Sequence, residues 1–307
     1  MTDRNVTDHE TGPMNDQDWL ARRFDDHRSH LRSVAYRMLG SMSEADDAVQ
    51  ETWLRLSRAD TREVENLRAW LTTVVGRVCL NMLRSRRSKR EDSLDVLLPE
   101  PVVSSEGDGD PEHEAVLADS VGLALLVVLD TLTPAERLAF VLHDMFGVPF
   151  GEIAPIVGRS PAAARQLASR ARRRVRSEAP VADGDLRGQR AVIDAFVKAS
   201  REGDFDALLA VLDPDVVVRA DRGAVAPGTP RTVRGARAVA EVAVSFSRLA
   251  PSARRALVNG AAGLVVVTQE RPFAVIGFTI TNGRIVEIDI LADPARLGRI
   301  DLTVLDD

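Results

Sequence analysis

"FGEIAPIVGRSPAAARQLASRARRRV", residues 150–175, decides how the chain is read. It has the spacing of two short helices that cross through a tight turn. A close crossing needs a small residue, and Ala154 supplies one. The turn needs a residue tolerant of positive φ, and Gly158 supplies it. Ser160 is placed to cap the second helix and Pro161 to begin it. Ala164 and Leu167 then face back onto the first helix, and Ala171 and Val175 continue that inward stripe. This is helix-turn-helix spacing. Pro155 falls inside the first helix, where it removes a hydrogen bond and crowds the carbonyl of Gly151. The sequence therefore predicts a kinked or partly 3-10 element there.

Arg165, Gln166, Ser169, Arg170 and Arg173 fall on the outer face of the second helix. Arginine can bond guanine bidentately, glutamine can bond adenine, and serine is permissive. Arg172, Arg174 and Arg176 suit phosphates better than bases. A solvated basic face is the plainer reading of a stretch, 158–176, with seven arginines and no acid. The spacing from Ala154 favours a helix that reads duplex DNA.

A net charge of −6 sits oddly with such a helix until it is mapped. Residues 91–119 hold ten acids and no lysine or arginine. Setting those ten aside leaves 36 of the 46 acids against 40 bases, so the acidity belongs to one segment. That segment reads either as a solvated spacer or as a shield for the basic helices. The single cysteine, Cys79, excludes a disulfide framework and a cysteine zinc site. No apolar run reaches the ~18 residues of a membrane span. The start of the chain lacks a signal peptide's apolar core, so a cytoplasmic location and no membrane partner are expected.

Residues 1–17 read as a disordered tail, and 18–90 as helical. Phe24, Leu31, Val34, Ala35 and Met38 recur at helical spacing until Gly40 stops the first helix. In "SEADDAVQETWLRLSR" Ser43 is the expected cap, and Ala45, Val49, Trp53 and Leu56 form the apolar stripe. Its other face carries Asp46, Asp47, Gln50 and Glu51; helix capping alone also accounts for the two aspartates. A third helix, capped by Asn66, carries Trp70, Arg77, Asn81 and Arg84, with a basic end. Aromatic and basic residues at that spacing suit single-stranded DNA, and core packing is the alternative for Trp70. Residues 91–113 read as an acidic linker and 114–178 as further helices. "LTPAERLAF" carries a full start signal: Thr133 as cap, Pro134 first, Glu136 closing a capping box. His113 and His143 read as surface or packing residues. A second linker spans 179–186. From 187 to 307 two helical stretches precede strand-like runs, and Asn282-Gly283 marks a type I′ hairpin.

Three motifs together resemble a known family. "SEADDAVQETWLRL" resembles the core-polymerase-binding helix of sigma region 2. "NLRAWLTTVVGRVCLNMLRSRR" is similar to the adjoining promoter-melting segment. "LTPAERLAFVLHDMFGVPFGEIAPIVGRSPAAARQLASRARRRV" resembles sigma region 4, with no region 3 between. This is the layout of extracytoplasmic-function sigma factors. The resemblance implies that Asp46, Asp47, Gln50 and Glu51 meet the clamp helices of core RNA polymerase. It implies that Trp70, Arg77, Asn81 and Arg84 contact the −10 element, and that loop 59–66 holds a flipped base. It assigns Arg165, Gln166, Ser169, Arg170 and Arg173 to the −35 element.

Residues 187–303 resemble the SnoaL-like branch of the NTF2-like fold, a curved sheet with helices closing a cone-shaped pocket. One class of these sigma factors carries such a domain with three motifs. They are similar here to "LLPEP" (97–101), "DRGAV" (221–225) and "DPARL" (293–297). Asp221, Gly223, Asp293, Pro294 and Leu297 are thereby marked as regulatory. Relatives on the fold include acid–base enzymes, for which Asp221, Glu287 and Asp289 are the candidate acids. The domain has no histidine or tyrosine to complete a pair. Asp289 is expected on the outer face of its strand. Phe196, Val218, Phe246, Phe273 and Phe278 suggest a greasy interior with room for a small ligand.

The expected fold is therefore multidomain: two all-α units and a C-terminal α+β NTF2-like domain. The expected function is that of a non-enzymatic alternative sigma factor, without cofactor or metal, partnered by core polymerase and promoter DNA and modulated by its own third domain. Two alternatives are a one-component helix-turn-helix regulator that senses a ligand, and an NTF2-like enzyme tethered to DNA.

Overall fold

The computed structural model describes residues 16–59, 64–90, 98–105, 122–223, 232–269, 271–300 and 302. Helices α1 (Asp16–Leu39), α2 (Met42–Leu56) and α3 (Leu67–Arg90) form the first unit. The five apolar residues expected inside α1 are all buried. Gly40 ends α1 in the left-handed region, at φ +70°. Ser41, not Ser43, caps α2, accepting from the Glu44 N–H at 3.3 Å. The chain reverses at Gly40 itself, so the next extended residue is already in place to cap. Asn66 caps α3 as expected, accepting from the Ala69 N–H at 3.1 Å.

The second unit comprises α4 (Leu123–Thr131), α5 (Pro134–Phe140), a π-helical turn (Val141–Met145), α6 (Phe150–Val157) and α7 (Pro161–Glu178). Both halves of the Thr133–Glu136 capping box form. Gly158 takes φ +67° between α6 and α7, and Ser160 caps α7 ahead of Pro161. Pro155 does not turn α6 into a partly 3-10 element; Phe150–Val157 is one α-helix. The helix is only eight residues long, so one missing hydrogen bond interrupts little. Gly151, which faces the proline ring one turn back, has nothing within 4 Å of where a Cβ would stand.

One apolar core runs through both units, from Phe24 in α1 to Ala171 in α7. Gly76 permits that contact, because a Cβ on it would stand 3.1 Å from Leu142 Cδ1. Arg137 of α5, only 2% exposed, donates from Nε to the Arg37 carbonyl at 3.2 Å and pairs with Asp130 at 3.0 Å.

The third unit begins with α8 (Leu186–Glu202) and α9 (Phe205–Val211). There follow β2 (Leu212–Asp221), β3 (Thr232–Arg234), α10 (Ala236–Ser245) and a 3-10 turn (Ser247–Ser252). Next come β4 (Ala253–Val258), β5 (Ala261–Thr268), β6 (Arg271–Thr281), β7 (Arg284–Leu291) and α11 (Pro294–Leu297). Asn282 and Gly283 both have positive φ, as the hairpin signal requires. Asn259 and Gly260 repeat that geometry between β4 and β5. β2 joins β7 in parallel; the other pairings are antiparallel.

The sheet order is β1-β4-β5-β6-β7-β2-β3, and β1 (Val103–Ser104) comes from the segment expected to be linker. Residues 98–104 are buried, with Val103 paired to Val258 and Ser104 to Leu257. Acidic composition hid this strap, because its apolar residues Leu98, Val102 and Val103 are few among the acids. The expected shield falls mostly on residues outside those described, but Glu100 lies in the strap and is buried. The sheet is covered on two faces. α8, α9 and α10 close one. The strap and Leu123 of α4 pack against the other, beside Val258, Val275, Leu291 and Leu297.

A buried network joins strap, first unit and third unit. Asn259 donates its backbone N–H to the Val102 carbonyl at 2.8 Å and accepts the Val102 N–H at Oδ1, 3.1 Å away. Its Nδ2 donates to the Tyr36 hydroxyl at 2.9 Å, which donates to the Glu100 carbonyl at 2.8 Å. Asn259→Gly keeps the positive φ and removes the side chain. It is expected to cost about 2–3 kcal/mol in urea unfolding, since two buried partners lose a bond each. A loss below about 0.5 kcal/mol would show that the network does not hold the strap.

Candidate nucleic-acid interface

The outer face of α7 forms as the spacing requires. Arg165, Gln166, Ser169, Arg170 and Arg173 are all exposed on one helix, with Ala164, Ala168 and Ala171 buried behind them. Arg165 lies over the Phe150 ring, 5.5 Å from its centroid. Arg170 Nε donates to Glu136 Oε1 at 2.9 Å. Burial raises the Glu136 carboxyl, but the bonds from Thr133 and Arg170 outweigh it and hold it below the ordinary range. Arg172 and Arg174 pair with Asp144 and Glu178 at 3.2 and 3.1 Å.

On α3, Arg77, Asn81 and Arg84 are exposed, and Trp70 is half-buried against the core. Arg84 and Arg87 face Thr133, Pro134 and Ala135 across a groove between the end of α3 and the start of α5. The two sets of arginines thus lie on units packed against each other. Most of loop 59–66 lies outside the described residues. On α2, Asp46, Asp47 and Gln50 are exposed and Glu51 is half-buried. Asp46 pairs with Arg32 at 2.7 Å and Glu51 with Arg55 at 2.9 Å. Leu54, 40% exposed, continues this face; the charge pattern drew attention away from it.

The five residues marked as regulatory come together behind these faces. Asp293 caps α11, accepting from the Ala295 N–H at 2.8 Å. Gly223, at φ +58°, lies against it so closely that a Cβ would collide with the Asp293 carboxylate. Asp221 accepts from the Gly223 N–H at 3.1 Å and from the guanidinium of Arg296. Arg296 also donates to the Leu98 carbonyl and lies 3.8 Å from Glu100, which accepts from the Ser41 hydroxyl at 2.6 Å. The described residues of the three motifs, 98–101, 221–223 and 293–297, therefore meet in one clasp. Arg296 is its centre and was missed. The available signal was a charged residue flanked by apolar ones in a short capped helix.

The third unit encloses a cavity of about 690 Å³. Phe196, Val218 and Phe278 line its interior. Phe246 and Phe273, expected inside, stand on its walls yet are 41% and 43% exposed, so they form the rim. No carboxylate or histidine lines it among the described residues. Glu287 and Asp289 instead pair with Arg219, at 2.5 and 3.0 Å. Asp289 alternates with Ile288 and Ile290, which line the cavity, but its own face is buried rather than outer, because α4 packs across β6 and β7. No helix among the described residues is long and apolar enough to cross a membrane.

Comparison with known proteins agrees with this layout. The family model "Sigma-70 region 2" matches residues 23–89, and "Sigma-70, region 4" matches 122–175. "ECF RNA polymerase sigma factor SigJ" of Mycobacterium tuberculosis is 40% identical over 280 residues, covering 87% of this chain and 89% of that protein. "Probable ECF RNA polymerase sigma factor SigI" of the same organism is 35% identical, covering 92% of this chain and 97% of that one. The crystal structure of M. tuberculosis SigJ matches with a TM-score of 0.75 at 36% identity, covering 92% of this chain and 100% of that chain.

Burial dominates Asp289 and pushes its carboxyl up to about 6, despite Arg219. The native chain then holds this proton more tightly than the unfolded chain does. The stability that the group contributes is therefore lost as pH rises from about 4 to about 6. Asp289→Asn is expected to remove that part of the slope in urea midpoints measured across this window. Parallel profiles for the two proteins would refute it.

Proposed function

The chain belongs to the ECF RNA polymerase sigma factors, and from that membership we propose how its faces divide the work. As a sigma factor it binds core RNA polymerase, recognises the −35 and −10 promoter elements and promotes transcription initiation. It is not an enzyme. In our reading, Asp46, Asp47, Gln50 and Glu51 meet the polymerase clamp, with Leu54 as an apolar anchor among them. Trp70, Arg77, Asn81 and Arg84 engage the opened −10 strand, and loop 59–66 receives a flipped base. Arg165, Gln166, Ser169, Arg170 and Arg173 read the −35 duplex. Such a protein works in the cytoplasm, where its partners are.

The observation that carries the regulatory part is the continuous core that joins the two DNA-binding units. The two promoter elements lie roughly 25 base pairs apart, or about 85 Å of duplex at about 3.4 Å per pair. In our reading, units packed as closely as Gly76 against Leu142 are too near each other to engage both elements at once. The arrangement is a resting one, and the third unit favours it by holding the strap through Asn259 and Arg296. Asp221, Gly223, Asp293, Pro294 and Leu297 regulate by building the seat for that arginine.

Run-off transcription with purified core polymerase on a genomic promoter library tests the whole reading. The full chain should direct initiation at a defined promoter set, and a chain that never competes for core enzyme would defeat it. Leu54→Asp should abolish core binding and leave duplex binding intact. Gln166→Ala should relax one position of the −35 preference and cost about 1–3 kcal/mol. Arg296→Ala should raise transcription at equal protein concentration. Output equal to the parent would remove the clasp from regulation.

A further inference from the structure

The cavity in the third unit has a chemistry that narrows what it accepts. Its volume of about 690 Å³ falls within the range of small-molecule sites. Val218, Leu264, Phe278 and Ile288 make the deep walls and are buried. Two serines line it, and both spend their hydroxyl protons within their own helices. Ser200 donates to the Phe196 carbonyl at 2.8 Å and Ser245 to the Val242 carbonyl at 2.6 Å. Among the described residues the interior thus gives a polar ligand no free hydroxyl donor, and a polar group placed beside them would lose its hydration uncompensated.

The rim is different. Phe246 and Phe273 stand half-exposed at the mouth. The guanidinium of Arg222 lies over the Phe246 ring, 5.3 Å from its centroid, and makes no ion pair with a described residue. An apolar, aromatic interior with the Arg222 cation at its mouth fits a molecule with an apolar body and an anionic end.

The cavity also touches the clasp from behind. Ala220 and Arg222 line it, and Asp221 between them holds Arg296. Pro294 and Leu297 of α11 line it as well, and Arg296 between them reaches the Leu98 carbonyl. The same two short stretches therefore face the cavity with some residues, while Asp221 and Arg296 between them form the link to the strap.

We infer that this cavity binds an apolar carboxylate of fatty-acid size, its chain among Val218, Leu264, Phe278 and Ile288 and its carboxylate at Arg222, and that the bound molecule holds the clasp closed. A ligand that contacts α11 and the end of β2 only while both are seated stabilises the seated arrangement. The strap at 98–104 is held with it. This binding does not rest on the promoter-reading assignments, because its readouts need neither polymerase nor DNA.

The test uses the full chain and dodecanoate, titrated by calorimetry below its micelle concentration. Dodecylammonium, with the same chain and the opposite charge, is the comparison. Dodecanoate should bind saturably, one per chain, and dodecylammonium at least about tenfold more weakly. Arg222→Gln should weaken dodecanoate about tenfold, the worth of one charge-assisted hydrogen bond. Ala243→Phe, on the cavity wall, should weaken it by filling the space. If that variant does not fold, Arg222→Gln at the rim still decides the question. With the site full, hydrogen exchange at residues 98–104 should slow severalfold. Absence of saturable dodecanoate binding overturns the site. Equal binding of the two amphiphiles, or an unchanged Arg222→Gln, overturns the carboxylate assignment. Exchange at 98–104 that is unchanged or faster overturns the coupling.

Discussion

Asn259 gives its backbone N–H, its side-chain oxygen and its side-chain nitrogen to groups outside its own domain. Those bonds sit in a buried environment, together with the Tyr36 hydroxyl and Glu100. Burial also drives the Tyr36 hydroxyl well above its ordinary range, so it stays protonated and donates. A buried polar group without a partner costs about 1–3 kcal/mol, so such a network tends to be made or broken as a unit. The seat of the strap between the first and third units rests on it. β1 pairs with β4 because the strap is held at that turn, and Leu123 reaches the sheet beside it.

The charge distribution takes on a second meaning in this light. Glu100, one of ten acids in a segment that reads as solvated, is buried between Ser41 and Arg296. The clasp therefore joins a serine that caps a helix in the first unit to a four-residue helix in the third. Few contacts of this kind are needed to bias a protein between two arrangements, because a few kilocalories per mole shift a population by orders of magnitude. The core from Phe24 to Ala171 supplies the apolar contact between the first two units, and the clasp adds polar contacts to the third.

Much of the fold was legible because the rules involved are short in range. A cap, a turn or a helical stripe depends on residues within about four positions of one another. Thr133 with Glu136, Ser160 with Pro161, Gly158, and Asn282 with Gly283 all formed as their local sequence demands. The outer face of α7 was legible for the same reason, since helical periodicity alone separates Arg165 and Gln166 from Ala164 and Ala168. Errors of detail came where two local signals competed. Ser41 displaced Ser43 as the cap beside Gly40, and α6 absorbed Pro155.

The features that only the tertiary structure decided all involve partners distant in sequence. Arg296 meets the Leu98 carbonyl across 198 positions, and Asn259 meets Tyr36 across 223. No periodicity carries such pairings. The strap looked like linker because its few apolar residues become a buried edge only when β4 is beside them. Asp289 was placed correctly by strand alternation, away from the cavity, yet wrongly as exposed, because α4 covers that face from another unit. By itself the sequence determined most of the elements, the exposed arginine-bearing face of α7 and the family to which the chain belongs. Folding decided how those elements are held against one another, because that depends on groups that compete for water until distant chain segments bury them together.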